Sequence, residues 1–304
     1  MELYNNHQNQ LIERVFQRID AELLQSAPFL AAHITAWMQN LSGSHAPADY
    51  FKHPFAVPFL LFPWWIEEQI TGTVDDAFQQ DVMYSSVCAY YFSRMVDNLV
   101  DGDADITPPL IPASGYFHQG FQGTYFTYFP HEHEFWQFFR QTWLHQAEVT
   151  AQDATLSAID AVAFEQIASQ KISAIKIPIA AACYHYQRAD LIPLWMQVVD
   201  LWGCWHMFFQ DMFDWLKDSH NNNMTYFLTE AAKHDAPSSW IIREGIDWGV
   251  ARLDSWMVDL LKLTDELGSE SLKVYLNYRN DLLHTQRQKM ESGLKLLSTL
   301  GKSK

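Results

Sequence analysis

The chain has few cysteines and few basic residues. Cys88, Cys183 and Cys204 lie far apart, each in an apolar context, with no CxxC among them. Three such thiols make neither a disulfide framework nor a zinc site, and they predict a reducing, cytoplasmic setting. Lys and Arg number 20 against 36 Asp and Glu, a formal net charge of −16. That balance argues against non-specific affinity for nucleic acid or anionic lipid, since both need a basic surface. The opening MELYNNHQNQLIER has no basic-then-apolar order, so no targeting segment is expected there. The most apolar long run, LIPLWMQVVDLWGCWHMFF, is interrupted by Pro193, Asp200 and His206, and reads as a buried core helix rather than a membrane span. There is no P-loop, no GxSxG, no dinucleotide fingerprint and no Glu-x-x-His pair of the ferritin type. Alternating patterns of the strand kind are missing as well.

What remains is rich in apolar and aromatic side chains. Hydrophobic residues make up 48% of 304, with 12 Trp and 20 Phe, enough for a well-buried core and against disorder. QLIERVFQRIDAELL places Leu11, Val15, Phe16, Ile19, Leu23 and Leu24 at helical spacing. Similar periods run through FEQIASQKISAIKIPIAAACY, REGIDWGVARLDSWMVDLLKLTDEL and the closing ESLKVYLNYRNDLLHTQRQKMESGLKLL. The reading is all-α: a single-domain helical bundle over 1–304 with a frayed tail from about 296. Gly, Pro and Asp make 102–130 the main irregular segment, either a loop over a site or a packed surface loop.

Two acidic clusters end two apolar helices. MVDNLVDGDAD puts Asp97 and Asp101 at i, i+4, both on one helix face, with Asp103 and Asp105 in the turn beyond. Alone, that cluster reads equally well as a solvated helix end. FQDMFDWLKD adds Asp211, Asp214 and Asp218 at i, i+3, i+7, a face roughly 60° wide at about 100° per residue. Two such ends in an all-helical chain suggest opposing carboxylates at one mouth of a bundle. Hard cations would stabilise them, and oxygen-only ligands with room for water suit Mg²⁺, which also bridges to substrate phosphates.

The layout resembles the class I isoprenoid synthases, the helical terpene cyclases and prenyl-coupling enzymes. Their first metal motif is DDxxD. Asp97-Asn98-Leu99-Val100-Asp101 reads DNxxD, with Asn98 the departure. The cyclases' second motif is (N/D)DxxSxxxE. Gln210-Asp211-Met212-Phe213-Asp214-Trp215-Leu216-Lys217-Asp218 keeps its spacing, with Gln for Asn, Asp for Ser and Asp for Glu, and His220-Asn221-Asn222-Asn223 is similar to the polar run that follows. Squalene and phytoene synthases use two aspartate-rich motifs instead, which Asp97/Asp101 and Asp211/Asp214 also resemble. The likeness in layout covers roughly residues 80–290, and the two motifs are its specific part.

The resemblance implies a bundle with a central cavity, about three Mg²⁺ ions shared with the substrate diphosphate, and a prenyl diphosphate as partner, in a monomer or homodimer. By the same resemblance Asp97, Asp101, Gln210, Asp214 and Asp218 would be metal ligands, with Asp211 catalytic beside them. Lys171, Lys176 and Arg279 would meet the diphosphate, Arg279 standing next to Tyr278 where cyclases often carry an Arg-Tyr pair; Arg287 is a further basic residue of that helix. Arg94, one turn before Asp97, can equally be that aspartate's ion-pair partner. Chemistry adds the aromatics: a carbocation needs faces that stabilise it without attacking it, by about 0.5–2 kcal/mol each. Tyr90, Tyr91, Trp202, Trp205, Phe208 and Phe209 lie one to three turns inward from the aspartates, with Tyr90, Trp205 and Phe209 the foremost candidates. Rings at helical spacing are also ordinary core residues. HEHE at 131–134 is metal-capable but reads more simply as a solvated turn.

Overall fold

The helical periods of the sequence become helices in the computed structural model, which describes residues 3–100, 107–153, 155–156, 158–221 and 223–301, the side chains of 291 and 293–301 excepted. The first are α1 (Asn6–Ser26), α2 (Pro28–Ser42), α3 (Asp49–Lys52), α4 (Phe62–Thr71) and α5 (Asp76–Val100). Next come α6 (Leu110–Gly123), α7 (Phe135–Asp153), α8 (Ala161–Lys171), α9 (Lys176–His185) and α10 (Ile192–Phe213). The last are α11 (Trp215–His220), α12 (Tyr226–Ala231), α13 (Pro237–Trp240), α14 (Ile246–Leu267) and α15 (Glu270–Gly301). Among the described residues there is no strand, and no helix is long and apolar enough to cross a membrane.

Two compact units divide the chain. One comprises Met1–Ala154 with Lys171–Met196, the other Thr155–Gln170 with Gln197–Lys304. No shift in composition marks these junctions.

In the first unit, α1 starts on a capping box. The Asn5 side chain accepts from the Gln8 N–H and the Gln8 side chain from the Asn5 N–H, each at 2.9 Å. Its buried stripe is Leu11, Ile12, Val15, Phe16, Ile19 and Leu23, whereas Leu24, expected in that stripe, is 64% exposed. Helices α2 and α4 carry Pro in their first turn and end on Gly43 (φ 62°) and Gly72 (φ 71°), left-handed positions that glycine alone adopts without strain.

The segment expected to be irregular contains α6. Pro112 falls in the first turn, where its missing N–H removes no helical bond. Gly120 serves packing: a Cβ there would lie 2.7 Å from Cys88 Sγ and 2.9 Å from the Tyr84 hydroxyl, so glycine lets α6 lie close on α5. Residues 102–106 of that segment lie outside the described residues. A polar network joins the same helices. Glu22 accepts from Tyr84 (2.5 Å), Tyr116 (2.9 Å) and Arg18 (2.9 Å), and Arg18 also pairs with Asp81 at 2.8 Å.

In the second unit, α10 buries Val198, Val199, Trp202, Trp205, Phe208, Phe209 and Met212. Pro193 does not break this helix because it too sits in the first turn. Helix α14 buries Val250, Leu253, Trp256, Met257 and Leu260 at helical spacing and stops at Gly268 (φ 70°). Helix α15 packs on it and runs to Gly301, through most of the segment expected as a tail.

Candidate functional site

The sequence-predicted residues are shared between the two units, and each set has its own surroundings. In the first unit Asp97 lies in the last turn of α5, half-buried, and accepts from Arg94 Nη1 at 3.3 Å. An exposed pair of this kind contributes at most about 1 kcal/mol, so it places Asp97 more than it stabilises the helix. Asp101 lies outside the described residues.

Asn98, the departure from the first motif, is 1% exposed, and neither its Oδ1 nor its Nδ2 has a hydrogen-bond partner among the described residues. A carboxylate buried at that position without a counter-charge would cost more than an unpaired amide. An amide rather than a carboxylate therefore suits the environment of this turn.

Tyr90 packs against Tyr50 (4.9 Å between ring centres), Phe51 (5.2 Å) and Phe59 (5.9 Å), and its neighbour Tyr91 against Trp37 and Phe117. Lys171 is ion-paired with Asp153, and Lys176 is buried in the first turn of α9.

In the second unit the acidic run is not one straight helix. Helix α10 ends at Phe213, Asp214 takes φ −96° and ψ 6°, and α11 begins at Trp215. The backbone ladder nevertheless crosses the bend: the Asp214 N–H donates to Gln210 O (2.8 Å) and the Asp218 N–H to Asp214 O (3.0 Å). Gln210 and Asp214 are exposed, Asp211 and Asp218 half-buried. Burial pushes the Asp218 carboxyl up, an amide hydrogen bond from Asn223 at 3.3 Å opposes it, and the Asp214 charge adds to the rise.

Behind this bend runs a ladder of rings along α10. Trp202 stacks on Trp205 (5.1 Å, 12° between planes), Trp205 on Phe209 (5.3 Å, 16°), and Phe209 meets Phe213 at 4.8 Å. The ladder therefore ends beside Asp214. Arg279, from α15, is 0% exposed, with its guanidinium 5.1 Å from the Trp202 ring centre, 5.3 Å from Trp205 and 5.8 Å from Phe209. It donates to the Tyr275 hydroxyl (3.2 Å) and to His206 Nδ1 (3.4 Å). Because a guanidinium only donates, Nδ1 must be the acceptor and the proton sits on Nε2. Burial first, and then the charge of Arg279, hold His206 down to about 3.

Three of the expected substrate residues, Trp205, Phe209 and Arg279, thus meet in one cluster. Phe208 points elsewhere, into Phe164, Tyr226, Trp248 and Trp256. Sequence reasoning set Tyr278 beside Arg279, but the hydroxyl that receives it is Tyr275, and His206 was not expected there at all. The available signals were the i, i+4 spacings Tyr275–Arg279 and Trp202–His206.

The other chemistries considered have little support. Cys183 and Cys204 are pushed up to about 12 by burial and Cys88 rises further, so none is poised as a thiolate. His133 of HEHE accepts from the Phe135 N–H at 3.1 Å. Among the described residues no three His, Cys, Asp or Glu side chains gather as a metal cage. Gln210, Asp214 and Asp218 still present the donor chemistry that suits Mg²⁺, which keeps several waters and uses few carboxylates. A cation would also relieve the repulsion between Asp214 and Asp218.

No family model matches the chain, and no curated protein matches it.

Proposed function

We propose that the chain is a Mg²⁺-dependent class I isoprenoid synthase, a terpene cyclase that ionises a prenyl diphosphate and cyclises the cation. The observation that carries the reading is the ring ladder along α10, with Trp202, Trp205 and Phe209 about Arg279 and Phe213 continuing it to the acidic bend at Asp214. Gln210, Asp214 and Asp218, and in the first motif Asp97 and Asp101, would hold Mg²⁺, with Asp211 beside them. When bound with the substrate, the metal neutralises charge on the departing diphosphate. Lys171, Lys176 and Arg279 would add positive charge to the same leaving group. Tyr90, Trp205 and Phe209 offer faces that stabilise a cation without bonding to it. On this reading Arg279 reaches the diphosphate only after its guanidinium leaves the rings, where it now occupies the place of a substrate cation.

Two observations favour a second reading, a non-catalytic isoprenoid-binding protein. Lys171 is already paired with Asp153, and Arg279 is fully buried. A prenyl-coupling enzyme of the squalene type is the third, resting on the Asp97/Asp101 and Asp211/Asp214 spacings.

Incubating the full chain with prenyl diphosphates of several lengths and Mg²⁺, followed by mass spectrometry, separates the three. Cyclised hydrocarbon or alcohol supports the cyclase, and a doubled chain supports coupling. No metal-dependent loss of diphosphate from any length overturns both enzyme readings. Asp97→Ala and Asp218→Ala should each abolish turnover with helical content intact; full activity in both would remove the assigned site.

A further inference from the structure

The first unit contains a concave site of about 350 Å³. Its two walls are helix faces. His118 and Gln122, at i, i+4, come from α6, and Trp136, Arg140 and Trp143, at i, i+4, i+7, from α7. His131, of the HEHE run that the proposed function leaves unused, also lines it. The aromatic surfaces are fixed by packing: Phe126 stacks on Trp136 at 4.4 Å, and Trp143 is held against Phe121 (5.0 Å) and Phe92 (5.4 Å).

The polar groups have few commitments within the chain. His118 and His131 make ring contacts, to Phe92, Trp143 and Phe126, and the side chains of Gln122 and Arg140 have no hydrogen-bond or ion-pair partner among the described residues. None of the lining residues is acidic, in a chain with 36 Asp and Glu. Arg18, Arg94, Arg188, Arg252 and Arg287, by contrast, each pair with a carboxylate.

We propose that this groove binds a small planar aromatic anion, one or two fused rings carrying a carboxylate or a phosphate. The ring lies against Phe126, which is 47% exposed, and Trp143, where stacking needs no hydrogen bond. The anion meets Arg140, whose planar fork matches either oxyanion in two parallel hydrogen bonds, and the amide of Gln122 donates beside it. The volume sits at the small end of ligand sites, roughly 300–1,000 Å³, which suits one or two fused rings.

Calorimetric titration of the full chain with naphthoate, naphthyl phosphate and the uncharged naphthylmethanol tests this. Both anions should bind, the tighter one identifying the head group, and naphthylmethanol should bind at least about tenfold more weakly, the cost of losing a charged hydrogen bond. Arg140→Gln should weaken the anions by about tenfold or more and leave naphthylmethanol unchanged, while Gln122→Ala should cost about two- to tenfold. Arg140 is exposed, so its variant should keep the circular dichroism and melting temperature of the parent. Equal affinity for anion and alcohol, undiminished anion binding by Arg140→Gln, or no binding of either anion at millimolar concentration would overturn the assignment.

Discussion

The buried His206–Arg279 contact makes a quantitative prediction about pH. His206 titrates near 3 in the native protein, held there by burial and by the guanidinium 3.4 Å away, against an ordinary imidazole value of 6.5. Above pH 7 the imidazole is neutral in both folded and unfolded chains, and it contributes no pH dependence. Below 6.5 the unfolded chain binds a proton that the native one refuses, so stability falls as pH falls and levels out only below about 3. The slope is one proton, roughly 1.4 kcal/mol per pH unit, which amounts to about 2 kcal/mol by pH 5. Against a typical stability of about 5–15 kcal/mol, that loss is easily measured.

The perturbation is His206→Gln. The amide oxygen can still accept from Arg279, but the side chain cannot take a proton. Urea unfolding of both proteins from pH 7.5 to about 5 gives the difference in stability at each pH, a window set by the depressed value of His206. The other histidines, including His185, which burial also holds down, occur in both proteins and cancel. Any pH-independent cost of the substitution shifts the difference without tilting it. The variant should gain about 2 kcal/mol on the parent between neutral pH and pH 5. A flat difference would mean that His206 is protonated in the folded chain, and the tautomer assigned from the Arg279 contact would be wrong.

Two further predictions concern α5, which carries Asp97 and Asn98, and α6 packed on it. Gly120→Ala should destabilise despite Ala's helix propensity advantage of about 1 kcal/mol, since overpacking costs about 1–3 kcal/mol where a Cβ would lie 2.7 Å from Cys88 Sγ. Cys88→Ala in the same chain should recover part of that loss, and a double-mutant cycle without coupling would refute the close approach of α6 to α5. Asn98→Asp, which turns DNxxD into DDxxD, should cost roughly 2–4 kcal/mol at neutral pH without divalent metal, and less as pH falls into the carboxylate range. Unchanged stability at pH 7 would show that Asn98 does not face a dry interior.

The helical class was legible because it rests on periodicity: the stripe Leu11, Val15, Phe16, Ile19 and Leu23 is buried as spaced, and only Leu24, at the margin of the face, is not. Helix α6 was missed because Pro and Gly were read as breakers. A proline is harmless in a first turn, and a glycine is useful where two helices need close contact, and neither condition can be seen without the partner helix. The acidic spacings were legible as spacings, but the bend at Asp214 was not, since the apolar residues on both sides continue the same period.

The Arg279 cluster shows the same limit from another side. Trp205, Phe209 and Arg279 were each chosen for a separate chemical role, the rings for a cation and the arginine for a diphosphate. The fold places the arginine on the rings, so these faces already meet a positive charge of the protein's own. Attraction between a cation and ring faces is indifferent to which cation it is, and burial of the guanidinium makes it stronger. A substrate cation among these rings would therefore have to displace an arginine that satisfies both Tyr275 and His206. If the proposed cyclase reading holds, catalysis would require α15 to release Arg279, and a Tyr275→Phe variant, which removes one of its hydrogen-bond acceptors, should ease that release rather than impair turnover.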